Sequence, residues 1–252
     1  MKLMRRLFTW ITMLTILATA APLCAGDTMI FNYFDNYMPY SWKENKQMRG
    51  ILIDIADEAV RKRMGIEVIH KGYPWKRAQK MVKKGEADAL ITLCGTRGDW
   101  TQSGNEVVLT LEIKIFVKAG NPKIHQLEGV KKLDDLKPFR LIDYAGNSWC
   151  QKKLIDRNFR VDLAPNKNAI FPMLIKERGD ANLCNSMTGR YFIKKSGLKD
   201  QIVELAPVLE KVPFHLCVGK KSPYTKIIPA FDETIRQMKQ DGTMQKIFDK
   251  YQ

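Results

Sequence analysis

Histidine is nearly absent from this chain: His70, His125 and His215 are the only three in 252 residues. The five cysteines (Cys24, Cys94, Cys150, Cys184 and Cys217) include no Cys-x-x-Cys pair. Zinc and iron–sulfur sites draw their ligands from such residues at close spacing, so no metal and no cofactor are expected. Long apolar runs are lacking too. The run from Leu7 to Leu17 is about half of the roughly 20 residues that a bilayer demands, and no later stretch could cross one. Acidic residues are also in short supply, with 27 Asp and Glu against 42 Lys and Arg and a net charge of +15. A basic excess admits nucleic acid or anionic surfaces as partners. However, cations such as Lys43, Lys76, Lys80, Lys131 and Lys194 are scattered, and no groove-sized basic run interleaves with aromatics. They read as solvated helix faces, so no nucleic-acid partner is expected.

The N-terminus has a pattern of its own. Lys2, Arg5 and Arg6 precede the apolar run, and the small residues Ala18-Thr-Ala20-Ala21 follow it. This is the pattern of a secretory signal peptide over residues 1–25, cut after Ala20, Ala25 or Gly26. Leu23 stands before Cys24 where a lipoprotein signal wants a small residue. The expectation is a soluble, exported protein. Losing the leader removes three cations and no acid, and leaves about 226 residues, enough for one bilobed unit or two small domains.

Within those residues the chain says nearly the same thing twice. A basic amphipathic stretch runs into Gly85-Glu-Ala-Asp88-Ala-Leu-Ile-Thr-Leu-Cys94-Gly95-Thr96, and Ile170 to Arg178 runs into Gly179-Asp180-Ala-Asn-Leu-Cys184-Asn185-Ser186. Each copy reads as helix, Gly stop, short apolar strand and polar turn. In open α/β sheets the carboxyl ends of such strands are where ligands sit. Two units therefore suggest two similar lobes with a cleft between them.

Around the echo, Thr28 to Tyr33 reads as a strand, Tyr37-Met-Pro39-Tyr40-Ser-Trp42 as an aromatic loop, and Asp54 as the cap of a helix. Ile66 to His70 alternates as a strand, and Pro74-Trp75 opens a helix. The alternation of strand and helix implies parallel sheets with right-handed crossovers. After the strand Glu112–Lys118, the stretch Ala119-Gly-Asn-Pro122 is a candidate hinge. Leu133–Leu136 is a helical turn, Gly146-Asn147-Ser148 opens another helix, and Pro213 to Gly219 returns as a strand. Ile227 to Tyr251 is helical, with a break at Asp241-Gly242-Thr243. The fold class is α/β, with two similar lobes of mixed, mainly parallel sheets joined by a two-strand hinge. Lobe 1 covers 27–117 plus 216–252 and lobe 2 covers 121–212, with the hinge near 117–121 and 212–216. Cys150 and Cys184, both on the cleft side of lobe 2, are the preferred disulfide pair. The alternative keeps all the cysteines as small buried apolar residues.

Several motifs in order, Tyr37-Met-Pro39-Tyr40, Gly50-Ile-Leu-Ile-Asp54, Pro74-Trp75-Lys-Arg-Ala, Gly85-Glu-Ala-Asp88-Ala, Phe116-Val-Lys-Ala-Gly-Asn-Pro122, Leu133-Asp-Asp-Leu136, Gly146-Asn147-Ser148 and the closing Asp241-Gly242-Thr243, span the chain after the leader. Together they resemble the family 3 extracellular solute-binding proteins, the amino-acid-type periplasmic binding proteins with a type II bilobed fold. The resemblance implies hinged closure of two lobes around a small ligand, favoured only by contacts the ligand makes with both. It also implies that Tyr37 and Tyr40 cover the ligand, with Trp42 close by; Trp75 opens a helix facing the same cleft.

The chain departs from the family pattern at two charged positions. Members that bind α-amino acids carry Thr-x-x-Arg, where the Arg holds the ligand carboxylate. Here Arg97 follows Thr96 at once and Asp99 stands in the Arg place. The second lobe offers Asn185 where the family offers an Asp to the ligand ammonium. The candidate ligand-binding residues are therefore Tyr37, Tyr40, Trp75, Gly95, Thr96, Arg97, Asn147, Ser148 and Asn185. Asn147 and Ser148 open a helix whose free N–H groups attract an anion; the plainer alternative is that Ser148 only caps that helix.

The resemblance implies a monomeric, non-enzymatic binding protein for an amino acid or related small polar solute, partnered with an inner-membrane ABC permease. A sensory module for a membrane receptor is the second reading. A dehydratase on the same scaffold is the third, with Asp99 and Asp35 as the few acid–base candidates at the cleft.

Overall fold

Short, almost wholly apolar runs become buried strands, and amphipathic runs become the helices that cover them. The computed structural model describes residues 28–251; the expected signal peptide over 1–25 lies outside them. In chain order the strands are β1 (Met29–Phe34), β2 (Asn36–Tyr37), β3 (Ser41–Glu44), β4 (Gln47–Arg49), β5 (Val68–Tyr73) and β6 (Ala89–Thr92). They continue with β7 (Thr101–Ser103), β8 (Leu109–Lys118), β9 (Arg140–Tyr144), β10 (Arg160–Ala164), β11 (Asn182–Asn185) and β12 (Ile202–Gly219). The α-helices are α1 (Ile51–Ala56), α2 (Trp75–Lys84), α3 (Ile124–Glu128), α4 (Ser148–Lys153), α5 (Ile170–Ile175), α6 (Ser186–Lys195), α7 (Ile228–Gln240) and α8 (Thr243–Asp249). A π-helical stretch, Asp57–Arg63, continues α1.

The result is a mixed α/β fold in two lobes. In the first, β1 lies between β5 and β6 and runs parallel to both, and β12 adds an antiparallel strand beside β6. In the second, β9 and β10 are parallel, Leu141 bridges to Ala181 beside β11, and β11 runs antiparallel to β8. The strands β8 and β12 are long because they belong to both lobes, and they pair with each other from Ile202 to Phe214 of β12, with register shifts between Glu204 and Glu210. Leu109, Leu111, Phe214, Leu216 and Val218 pack in the first lobe's core. Ile115, Val117 and Leu205, on the same two strands, pack in the second lobe's core.

The break between α7 and α8 falls at Gly242, which takes the left-handed conformation (φ +77°) that glycine tolerates. Three expectations are corrected. Asp54 does not cap α1: the N-cap is Gly50, and Asp54 instead accepts hydrogen bonds from Lys250 and Tyr251 of the C-terminal tail. The echo is less exact than its sequence. Gly85 does end α2 in the left-handed conformation, whereas α5, which carries Pro172, stops at Ile175 and the left-handed residue is Glu177. Gly179 is needed for closeness instead, since a Cβ there would lie 2.5 Å from Ile142 Cγ1.

The disulfide is the third correction. It joins Cys94 to Cys217, with Cα atoms 5.7 Å apart, and leaves Cys150 and Cys184 as thiols. Cys94 sits just beyond β6, and Cys217 sits on the strand paired with it. Cys150 and Cys184 belong to two different packing clusters of the second lobe.

Gly50 ties this architecture to the cleft. Its backbone sits at φ 126° and ψ 173°, and a Cβ there would lie 2.5 Å from the Tyr40 carbonyl oxygen. That close approach lets the carbonyls of Pro39 and Tyr40 accept from the first N–H groups of α1, Ile51 and Leu52. The aromatic loop is thereby strapped over a helix end. Gly50→Ala is expected to lower the free energy of unfolding by about 1 to 3 kcal/mol, measured by urea denaturation. A loss below about 0.5 kcal/mol, ordinary for a surface change, would show that the strap tolerates a side chain.

Candidate functional site

Strand ends and helix starts of the second lobe converge with one loop of the first. The end of β9 contributes Asp143 and Tyr144, the start of α4 contributes Asn147 and Trp149, the end of β11 contributes Cys184 and Asn185, and α6 contributes Thr188 and Phe192. Tyr37, from the aromatic loop of the first lobe, closes the space. Together with Lys167 and aliphatic side chains they enclose a cavity of about 270 Å³. A smaller cavity of about 70 Å³ lies on the first-lobe side, lined by Asn32, Tyr33, Trp75 and Thr92 among others. Tyr37 lines both.

Direct bonds cross the cleft. Tyr40, 1% exposed, donates its hydroxyl to Asn185 Oδ1 at 2.6 Å. Thr188 Oγ1 donates to the Met38 carbonyl at 3.1 Å, and the rings of Trp42 and Tyr191 approach to 6.2 Å. Asn185 is the N-cap of α6, and its Oδ1 also accepts from the Thr188 N–H. Because a backbone N–H can only donate, the amide orientation is set, and it leaves Asn185 Nδ2 buried without an acceptor among the described residues. Asn32 shows the opposite case. Its Nδ2 donates to the Ala78 carbonyl, and its buried Oδ1 has no partner among the described residues.

Two charged groups stand in the wall of the larger cavity. Asp143, 2% exposed, accepts from the Tyr144 N–H at 2.7 Å and from Asn147 Nδ2 at 3.1 and 3.0 Å. Burial raises its carboxyl above the usual range, and the bonds from Asn147, Tyr144 and the Cys150 thiol oppose the shift. Asn147 in turn caps α4 by accepting from the Trp149 N–H. Lys167 places its ammonium 5.1 Å from the centre of the Tyr144 ring and 5.9 Å from those of Phe34 and Tyr37. Burial lowers its pKa, and Cys184 and Asp143 offset this in part. Burial also pushes the Tyr144 hydroxyl and the Cys184 thiol up to about 12, so both are neutral at physiological pH.

The structure brings some of the expected residues together and sets others apart. Tyr37, Asn147 and Asn185 line the larger cavity, Trp75 lines the smaller one, and Tyr40 reaches the cleft through Asn185. Ser148 is the first residue of α4, whose cap is Asn147 and not Ser148. Gly95, Thr96 and Arg97 form a 3-10 turn beyond β6, where Gly95 is exposed. The Arg97 guanidinium stacks over Trp75 at 5.4 Å, donates to Gln79 Oε1 at 2.9 Å and donates to the Leu93 carbonyl. It is tied back onto its own lobe. Among the cavity residues not singled out from the sequence are Asp143, Lys167 and Thr188. Asp143 had a signal, since it ends a strand just before Gly146-Asn147-Ser148. Lys167 had none, because it stands among many scattered lysines.

With this geometry in view, comparisons with known proteins are informative. The profile of the bacterial extracellular solute-binding proteins, family 3, matches residues 30–252. No curated protein matches the chain. Among solved structures the chain is similar to an ancestral cationic amino acid solute-binding protein, at 22% identity and a TM-score of 0.69, over 89% of this chain and 95% of that one. It is also similar to a histidine kinase sensor domain with similarity to periplasmic binding proteins, at 18% identity and a TM-score of 0.66, over 89% and 95%. A third is the substrate-binding protein of an amino acid ABC transporter, at 18% identity and a TM-score of 0.60, over 89% and 99%. Identities this low speak to the fold, which is that of the type II periplasmic binding proteins.

Proposed function

The chain belongs to the bacterial extracellular solute-binding proteins of family 3, and we propose that it captures a small solute between its lobes and presents it to a membrane transporter. The observation that carries this reading is the cavity of about 270 Å³ enclosed by side chains of both lobes. Tyr37 from one lobe and Asn147, Lys167 and Asn185 from the other are assigned as ligand contacts. Asp143 positions Asn147, and Tyr40 holds Asn185 across the cleft. Trp75 and Asn32 shape the first-lobe side. We propose a hinge where β8 and β12 change cores, near 111–113 and 209–212, a few residues before each of the expected segments 117–121 and 212–216. Export by the N-terminal segment to the periplasm, and action as a monomer, belong to the same proposal.

A ligand that binds only the native state stabilises it by RT ln(1 + [L]/Kd), about 2.7 kcal/mol at a hundredfold excess over Kd. For a domain of this size that raises Tm by about 5 to 10 °C. A thermal-shift screen of amino acids, organic acids, amines and sugars at millimolar concentration is expected to contain such a compound. A flat response across the whole screen would remove the solute-binding reading. The likeness to a histidine kinase sensor domain favours one second reading, in which the closed lobes signal to a membrane receptor. Pull-down of membrane proteins by the liganded and unliganded forms separates the two, since a permease and a kinase differ in size and in ATP-dependent activity.

A further inference from the structure

The wall of the larger cavity carries one cation and one carboxylate that form no ion pair with each other, and its hydrogen bonding is uneven. Lys167 is half-buried against three aromatic faces, and among the described residues no carboxylate lies within ion-pair distance of it. Aromatic faces attract a cation, yet they replace lost hydration only in part. Asn185 adds a buried N–H donor with no acceptor. A buried donor left unpaired is costly, and a ligand acceptor would relieve that cost. The cavity therefore holds an excess of donors.

Among the described residues of the same wall, acceptors for a ligand ammonium are few. Its one carboxylate among the described residues, Asp143, already accepts from Asn147 and the Tyr144 N–H. The neutral Asn185 supplies no counter-charge for an ammonium. The outer depression beside the cavity is lined by Lys167 and Lys195 and by no acidic side chain among the described residues. Such an entrance raises the local concentration of anions. Much of the remaining wall is apolar, with Ile113, Trp149, Ile170, Phe171, Leu183 and Phe192, while Asn182 and Thr188 add polar groups. A cavity of about 270 Å³ has room for a small organic solute.

We infer that the solute is a small monocarboxylate with an apolar body and no ammonium group, its carboxylate received by Lys167 and the Asn185 amide. This rests on the reading of the interlobe cavity as the ligand site. Benzoate, phenylacetate and 4-methylpentanoate are suitable probes, each compared with its amide and amine and, for the last two, with phenylglycine and leucine. Calorimetry and thermal shift on the full mature chain are expected to show binding of at least one carboxylate and at least tenfold weaker binding of its matched amide, amine and amino acid. Lys167→Met keeps the length of the side chain and its apolar stem. It is expected to weaken carboxylate binding about 10- to 100-fold, with a clearly smaller loss for the neutral amide and part of the carboxylate affinity restored in Lys167→Arg.

If Lys167→Met does not fold, the carboxylate-to-amide ratio of the unaltered protein decides the matter by itself. Tighter binding of amino acids or amines than of the carboxylates would overturn the inference and leave the solute-binding reading standing. So would carboxylate binding indifferent to both the amide exchange and Lys167→Met. Silence of these probes alongside a hit of another class in the wider screen overturns the inference alone, whereas silence of the whole screen overturns the reading beneath it.

Discussion

Removing the disulfide, by Cys94→Ala together with Cys217→Ala, is expected to lower the free energy of unfolding by about 2 to 5 kcal/mol. The two half-cystines are 123 positions apart, and everything between them includes the whole of the second lobe. A loop this long constrains the unfolded chain strongly; in the chain-entropy account, closing on the order of 100 residues contributes about 4.7 kcal/mol. Both sulfurs lie in a buried cluster with Ala78, Val82, Ala87 and Leu90, so the alanines also lose a little packing. Replacing both cysteines avoids leaving one buried thiol beside a cavity. Urea unfolding of the oxidised protein, the reduced protein and the double variant provides the check. Equal stability of all three would mean that the strand pairing of β6 with β12 holds the ends together without the covalent link.

Phe116→Ala is expected to cost about 3 to 5 kcal/mol, the range for emptying a large aromatic side chain from a closed core. Phe116 lies on β8 at 0% exposure, with the Phe171 ring centre 5.8 Å away. Helix α6 rests on it so closely that a Cβ at Gly189 would lie 2.2 Å from Phe116 Cζ. The glycine is there to admit the ring. Gly189→Ala alone should therefore destabilise the protein, while in the Phe116→Ala background the added methyl has room and its cost should largely vanish. Contacting residues give such non-additive energies, here on the order of 1 kcal/mol or more. Because α6 begins at its cap Asn185, the same substitution is expected to weaken ligand binding as well as folding. Additive costs within about 0.5 kcal/mol would show that the helix does not rest on that ring.

Much of the fold was legible in local pattern. The helix stop at Gly85, the turn at Leu133–Leu136 and the break at Gly242 all follow from turn chemistry, which acts over a few residues. The second half of the echo was legible only in part. Ile170 to Arg178 carries the helix signal, yet the helix ends before its glycine, and Gly179 answers to the approach of Ile142 from another strand. The cleft side of β11 was legible because strand ends gather ligand residues in folds of this type. Arg97 was not. Its neighbours in the sequence allow it to face the cleft or to fold back, and Gln79 and Trp75, on a different helix, draw it back.

Periodicity and turn residues, each decided within a few neighbours, determined that this is an α/β chain whose order of elements makes two lobes. Tertiary structure alone decided which cysteines meet, which cation stands in the cavity wall and which amide is left with a spare donor. The reason is distance along the chain. Tyr40 and Asn185 are 145 positions apart, Cys94 and Cys217 are 123 apart, and the rings around Lys167 come from both lobes. Charge balance in a buried wall depends on all the groups that share it, and no stretch of sequence contains them together.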